Sequence, residues 1–349
     1  MKGMWQTLGL TLLLSLLGFG FLFLTGQRFN PAEFAASTRL EPLFLMLLLP
    51  TLIGWWVVSA WRIQILAASK EVTLSRAVRS LLLFLFGATV TPGGTGSNVA
   101  LAWYLSQYTS PKRATAVAVF GLTFDLVYYA WSMPVCFAIL HFKGIDLQMP
   151  FLGPILGIIV GLGSLISIGF AYALAFQLPR LERLLFALFS MRWLLRFRRG
   201  ALRFIQETGH AMAEIRQFPV ATQLGLHGIT ALSFVLHFAA GNVLAAAMGL
   251  NVDHVALLAM QSLLVAISFV IPSPGGAGYF EAVLGRSSPA VGIPEAAVFP
   301  FVTLWRFLSY FLYVFIGPFI GAPAILAASQ RSQAAREIDP PSTPRGNEA

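Results

Sequence analysis

The chain has 349 residues, of which 57% are hydrophobic and only 11% charged, with a formal net charge of +9. An ordinary soluble domain carries roughly 25% charged residues, so the composition argues against a water-soluble fold. The arginines sit in short segments between apolar runs, which points to membrane orientation and an anionic lipid surface and away from nucleic acid.

Met1 to Thr25 begins with Lys2 and an apolar run. The stretch from Thr7 to Thr25 exceeds the roughly 7–15 residues of a secretory h-region, and no small-x-small cleavage site follows, so it reads as a retained first span. Further apolar runs lie at 43–61, 114–140, 151–176, 220–248 and 296–328. Each is near the length that a hydrocarbon layer of about 30 Å demands of a helix. The last carries Pro300, Pro318 and Pro323 and is expected to be kinked or frayed. The single cysteine, Cys136, lies in an apolar stretch; it permits no intramolecular disulfide and no zinc or redox cluster, and no metal or cofactor is expected.

Two more apolar regions, about 80–108 and 257–291, are broken in mid-run. The first break reads Thr91-Pro92-Gly93-Gly94-Thr95-Gly96-Ser97-Asn98, and the second Ser273-Pro274-Gly275-Gly276-Ala277-Gly278-Tyr279. A shift of 182 residues superposes them, and it superposes Ser80-Leu81-Leu82 on Ser262-Leu263-Leu264 without a gap. That match argues for an internal repeat. Proline removes a donor and glycine disfavours helix, so such a backbone at membrane depth must be buried in protein or line a wet cavity. Each region is drawn as a re-entrant hairpin, two short helices meeting at the Pro-Gly-Gly turn; the alternative is an ordinary pair of spans joined by a loop.

Charge placement tests the drawing. Arg62, Lys70, Arg76 and Arg79 precede the first hairpin and Lys112 and Arg113 follow it, so both flanks are cytoplasmic only if the hairpin enters and leaves on one face. The loop from Gln177 to Phe218 holds Arg180, Arg183, Arg192, Arg196, Arg198, Arg199, Arg203 and Arg216 and is placed in the cytoplasm. The loops near Asn251 to His254 and near His141 to Pro150 hold only Lys143 between them and fall outside. Threading the spans puts both termini in the cytoplasm of a bacterial inner membrane, with the two hairpins entering from opposite faces.

The expected fold is thus an all-α polytopic membrane protein of about six spanning helices plus two re-entrant hairpins in an inverted repeat. It forms one transmembrane domain over residues 1–328, with repeat 1 at about 43–176, repeat 2 at about 220–328 and a basic loop at 177–219. Within that loop, Leu181 to Phe204 mixes Leu, Phe and Trp193 with arginines, which suits either a helix lying on an anionic leaflet or a simple basic connector. Residues 329–349 are polar and proline-bearing and read as a disordered tail.

The Arg62 segment, the TPGGTG turn, Pro111-Lys112, the IPSPGGAGYFE motif and Trp305-Arg306 resemble the transmembrane region of the lysylphosphatidylglycerol synthases, the flippase-like membrane family. The resemblance covers roughly residues 5 to 328. It implies a lipid-handling module: in that family a cytoplasmic synthase is coupled to a membrane region that moves the aminoacylated lipid between leaflets. No soluble domain follows residue 328 here, so a stand-alone module is expected, with a separate lipid-synthesising enzyme as a possible partner. The chain departs from the family pattern after the first turn, where Ser97, Asn98 and Val99 stand in place of an acidic residue or arginine; the second copy has Glu281.

An ionisable group at membrane depth costs at least about 2.5–3.5 kcal/mol and so faces a partner or a cavity. Asp125, Glu281 and Arg306 are the candidates. Asp125 follows Pro92 by 33 residues and Arg306 follows Pro274 by 32, which places opposite charges at nearly equivalent positions of the two halves. One reading makes them a head-group site, with Asp125 and Glu281 attracting a cationic moiety and Arg306 a phosphate. The other makes Asp125 and Arg306 a structural ion pair joining the halves. Pro92, Gly93, Gly94, Pro274, Gly275 and Gly276 either bring free N–H groups to a phosphate or only permit tight packing. Asn98, Asn242 and Gln261 suit interhelical hydrogen bonds, and Asn98 also joins the candidate binding set. His227 and His237 read as core histidines, and Trp55, Trp56, Trp61, Tyr104, Tyr128 and Tyr129 as interfacial anchors or packing.

The function expected from these features is movement of a polar phospholipid, aminoacylated or otherwise modified, between leaflets, without enzymatic chemistry. The alternatives are a scaffold for a lipid-modifying partner and a membrane-embedded transferase. No acid, base or nucleophile constellation for a transferase stands out, and no Walker-type loop is present.

Overall fold

The structure, a computed structural model, describes residues 30–91, 93–147, 156–177, 217–268 and 273–324, together with positions 20, 179, 180, 183, 186, 187 and 271. The expected first span, the Leu181 to Phe204 segment and Pro92 fall wholly or almost wholly outside the described residues, and the 329–349 tail lies entirely outside them.

The described chain is helical. A short helix α1 (Pro31–Ser37) is followed by α2 (Pro42–Ala67), α3 (Leu74–Val90), α4 (Gly96–Leu105), α5 (Pro111–Phe142), α6 (Leu156–Phe176), α7 (Val220–Ala247), α8 (His254–Ser268) and α9 (Tyr279–Ser287). The last helix, α10, runs regularly over Glu295–Arg306, passes through one π turn at Phe307–Phe311, and continues so that the whole span covers Glu295–Ala324. Pro300, Pro318 and Pro323, expected to kink or fray this span, all lie within the continuous helix, and the π turn contains none of them. Local chemistry starts the helices: proline occupies the first turn of α1, α2 and α5, where its missing N–H costs nothing. The Thr73 and Ser110 side chains accept from the N–H groups of Arg76 and Arg113 to cap α3 and α5.

Among the described residues five helices are long and apolar enough to cross a membrane, namely α2, α5, α6, α7 and α10. Leu45, Leu49 and Ile53 on α2 and Ile158, Leu162 and Ile166 on α6 stand exposed, as residues facing acyl chains do. The protein is a multi-pass membrane protein. The second expected span, drawn to end at residue 61, continues to Ala67, so Arg62 lies inside α2 and not in the loop after it.

The two interrupted regions form helical hairpins, α3 with α4 and α8 with α9. Their second arms have 10 and 9 residues, a rise of about 15 Å and half the hydrocarbon layer. Each hairpin closes on itself. At the mouth of the first, the Arg76 guanidinium sits 4.3 Å over the Tyr108 ring, and Arg113 Nε donates to the Ala67 carbonyl at 3.1 Å. At the mouth of the second, the Asp253 N–H donates to the Val291 carbonyl at 3.0 Å, and Lys143 Nζ meets Asp253 Oδ2 at 2.5 Å. Arg113 begins α5 and Lys143 follows its end, so the two hairpins open at opposite ends of this 32-residue helix.

The buried residues gather accordingly. One core packs α4 and the first half of α5 against α2 and α3 around Ala60, Leu105 and Val117. Another packs α8, α9 and α10 against the second half of α5 around Leu257, Leu284 and Phe301. Phe124 belongs to the first and Tyr128 to the second, so Asp125 sits at their seam.

The first hairpin depends on Gly87. A Cβ there would lie 2.7 Å from the Gly96 carbonyl oxygen and 3.0 Å from Ser97 Cα, both backbone atoms of the facing arm. Gly87→Ala is expected to lower stability by about 1–3 kcal/mol through forced separation of the arms. Gly161→Ala on lipid-facing α6, where a Cβ meets nothing within 4 Å, is expected to be neutral or slightly stabilising. Thermal unfolding of the two variants in detergent checks the contrast.

The Asp253 carboxyl is held below its ordinary value, first by the hydrogen bond from Lys143 and then by the Ala256 N–H that it caps. A carboxylate depressed in the folded state contributes stability above its unfolded value and loses it as pH falls through the lowered folded value. A thermal midpoint that drops on acidification below about pH 4, with a shallower drop in Asp253→Asn, is the expected result.

Candidate functional site

The hairpin turns are the two places where helix must stop inside the protein, and both stop in the same way. Gly93 and Gly94 have φ of 58° and 67°, and Gly275 and Gly276 have 55° and 66°. Two successive left-handed residues are what glycine alone adopts without strain, which gives the Pro-Gly-Gly repeat its physical meaning. Each turn closes its own backbone. In the first, Gly94 N–H donates to the Thr91 carbonyl at 3.1 Å, and the Thr91 hydroxyl both donates to Gly87 O and accepts from Gly96 N–H. In the second, Gly276 N–H donates to Ser273 O at 3.2 Å, and Gly278 N–H donates to Glu281 Oε2 at 2.8 Å, so this carboxylate caps α9. A Cβ on Gly275 would run into the Tyr310 ring and come within 3.2 Å of Thr89 Cα. Gly275 therefore lets the second turn pack against both α3 and α10.

Between the tips lies a cavity of about 220 Å³, many times the roughly 10–15 Å³ that one water needs. Its wall draws on both halves: α2, α3 and α5, the two turns, α7, α8 and α10. Gly93, Gly94, Gly275, Gly276, Asp125 and Arg306 line it directly. Glu281 is fully buried behind Arg306, Asn98 lines a small adjoining pocket beside Arg62 and Asp125, and Pro274 stands outside the lining.

The charges do not pair as the spacing suggests. Asp125 does not meet Arg306; its Oδ1 accepts from Arg62 Nη1 at 2.5 Å, and the same nitrogen reaches the Thr230 hydroxyl at 3.1 Å. Arg306 Nε instead donates to Glu281 Oε1 at 2.9 Å, and its Nη1 lies 3.4 Å from the Gly275 carbonyl. Its guanidinium stacks over the Tyr310 ring at 4.2 Å. Asp125 and Arg306 line the same cavity but are not in contact, because each has a nearer partner, Arg62 and Glu281. This also accounts for Ser97, Asn98 and Val99: the first half takes the partner of its α5 charge from the helix before the hairpin, the second from the hairpin itself.

Arg62 is the residue that the sequence reading misses, because a basic residue near a span end is assigned to the loop. The available signal was helical spacing, since Trp55, Ser59, Arg62 and Leu66 recur at three and four residues and share one face of α2. Ser59 Oγ and Ser233 Oγ meet at 2.6 Å where α2 packs on α7. Trp55 and His237 meet with ring centroids 4.1 Å apart and ring planes tilted by 43°, and they are separated by the same 182 residues that relate the two turns. Trp55, Tyr104, Tyr128 and Tyr129 are buried packing residues, whereas Trp61 is exposed. Gln261 joins three helices, donating to Phe238 O at 3.3 Å and accepting from Trp305 Nε1 at 2.7 Å; Asn242 reaches His254 Nδ1 at 3.1 Å. His227 packs edge-on to Phe124.

Burial sets what these pairs do for stability. Arg306 and Glu281 are 2% and 0% exposed, so removing one charge leaves the other buried and unpaired. Glu281→Gln alone is expected to destabilise by about 3–5 kcal/mol. The Glu281→Gln/Arg306→Gln double variant, which removes both charges, is expected to recover much of that loss in thermal unfolding. A double variant no more stable than the single one would show that the pair is not the main structural role of Glu281.

Neither the curated proteins nor the solved structures include a significant match to the chain. The profile of the family described as the lysylphosphatidylglycerol synthase TM region matches residues 7–317, nearly the whole chain and all of the cavity wall. On that match, the chain belongs to the lysylphosphatidylglycerol synthase TM-region family.

Proposed function

We propose that this protein moves a polar phospholipid between the leaflets of a bacterial inner membrane, the head group passing through the cavity between the hairpin tips. The observation that carries the reading is the cavity itself. It combines largely apolar walls with two ion pairs, one from each half, at a point reached by hairpins that open at opposite ends of the molecule. An inverted repeat places a site at the midplane in this manner, where small rotations of one half against the other expose it to either face. The contact of Trp55 with His237 supports the repeat, since positions related by a twofold axis touch only near that axis. Family membership supports lipid as the cargo. The arginines of the 177–219 loop favour placing that loop, and with it both termini, on the cytoplasmic side against anionic lipid.

The lipid can be aminoacylated or otherwise modified, and a separate synthesising enzyme would supply it. The reading is of transport without bond chemistry. A scaffold for such an enzyme is the second reading, favoured by one observation: all four charges are already paired within the protein.

Transbilayer movement of fluorescent lipids in liposomes containing the purified protein separates the two. The wild type is expected to accelerate movement, and the Glu281→Gln/Arg306→Gln variant, folded and inserted, to lose at least about tenfold of the rate, the equivalent of ~1.4 kcal/mol. Correctly inserted wild-type protein that moves no lipid would favour the scaffold.

A further inference from the structure

We infer that the cavity recognises its ligand through an anionic phosphate and not through a cationic amine. The inference rests on the transport reading only for what the phosphate is attached to.

Both carboxylates of the site already carry a guanidinium partner. Asp125 is held by Arg62, and Glu281 gives one oxygen to Arg306 and the other to Gly278 N–H. A cationic head group would meet carboxylates whose charge is already balanced by Arg62 and Arg306. Donors remain unused, and the two guanidinium nitrogens among them can serve no cation, while the hydroxyls beside them can turn to donate. Arg306 Nη2, the Tyr310 hydroxyl, Ser309 Oγ, Ser273 Oγ and Arg62 Nε are buried atoms without a hydrogen-bond partner, and all five residues line this one cavity. Arg306 is 2% exposed and Tyr310 1%. Guanidinium N–H groups only donate, and one so buried leaves its hydrogen-bonding capacity unmet unless a ligand oxygen meets it. An anionic oxygen is the partner that makes the shortest and strongest such bonds.

Four of these five groups belong to the second half. Thr91 spends its hydroxyl inside the first turn, while Ser273, 182 residues later and at the matching position, leaves its own unpartnered. Arg306, Ser309 and Tyr310 are separated by three and four residues along α10, where the π turn at Phe307–Phe311 begins directly after the arginine. Such single π turns occur often at functional sites. The Glu281 and Gly275 contacts orient the guanidinium plane and leave Nη2 as the nitrogen available to a ligand.

The chemistry is shared by a lipid phosphodiester and by free phosphate, and the test distinguishes them. Full-length protein in non-ionic detergent is titrated with dihexanoyl phosphatidylglycerol, with inorganic phosphate, and with dihexanoyl ethylphosphocholine, whose phosphate is a neutral triester without an anionic oxygen and whose choline leaves the lipid cationic. Thermal stabilisation is the readout. Because truncating Arg306 can unfold the protein, the variants are Tyr310→Phe and Ser309→Ala, each of which removes one oxygen.

The phosphatidylglycerol analogue is expected to stabilise the wild type, with each variant weakening its apparent affinity by about three- to tenfold and the cationic triester giving no shift. Stabilisation by inorganic phosphate at equal affinity would keep the anion site and sink the lipid reading. Equal stabilisation by the cationic triester, no anion effect at all, or variants that bind like wild type would each overturn the inference. Movement of a phosphotriester lipid as fast as of phosphodiester lipids would overturn it as well, while leaving the transport reading intact.

Discussion

The structure depends on one constraint: hydrocarbon offers no hydrogen-bond partner, so a helix that stops inside a membrane must bring its stop into the protein. This chain breaks two apolar regions, at the Pro-Gly-Gly motifs of residues 92–94 and 274–276, and brings both breaks into the protein. Both turns use two successive left-handed glycines and close their N–H groups on their own carbonyls and side chains. Once the turns are interior, the arms behind them are too short to span, the hairpins must be clasped by full-length helices, and the tips meet. The cavity is what remains where two such tips approach without interlocking.

The charged residues follow from the same geometry. The guanidinium and carboxylate groups beside the tips are matched within their own halves, Arg62 with Asp125 in a part-buried pair and Arg306 with Glu281 in a fully buried one. Matching is not complete on the donor side, however. The surplus of N–H and O–H groups facing the cavity is the feature that gives it chemical character, since both carboxylates are already balanced by a guanidinium.

Much of this was legible in the sequence. The Pro-Gly-Gly repeats located both hairpins because only glycine serves that backbone, and burial cost alone selected Asp125, Glu281 and Arg306. The partnership between charges was not legible. Spacing along a chain reports depth, and Asp125 and Arg306 do share a cavity, but depth does not say which helix faces which. Arg62 escaped because orientation statistics and helical periodicity make opposite assignments for a basic residue near a span end, and here periodicity prevailed: Arg62 lies on the Trp55 and Ser59 face, turned towards α5 and α7. The unpartnered hydroxyls could not be anticipated either, since Thr91 and Ser273 differ by a methyl group and yet one is engaged and the other free.

The separation of the two ion pairs bears on how such a chain is made. Insertion into a membrane proceeds from the amino end, and a lone charge waiting in lipid for a distant partner is a hazard for a nascent protein. Arg62 precedes Asp125 by 63 residues and Glu281 precedes Arg306 by 25, so neither pair straddles the long basic loop that joins the halves. The first half can neutralise its charges before the second leaves the ribosome, and each half enters the bilayer carrying its own counter-ion.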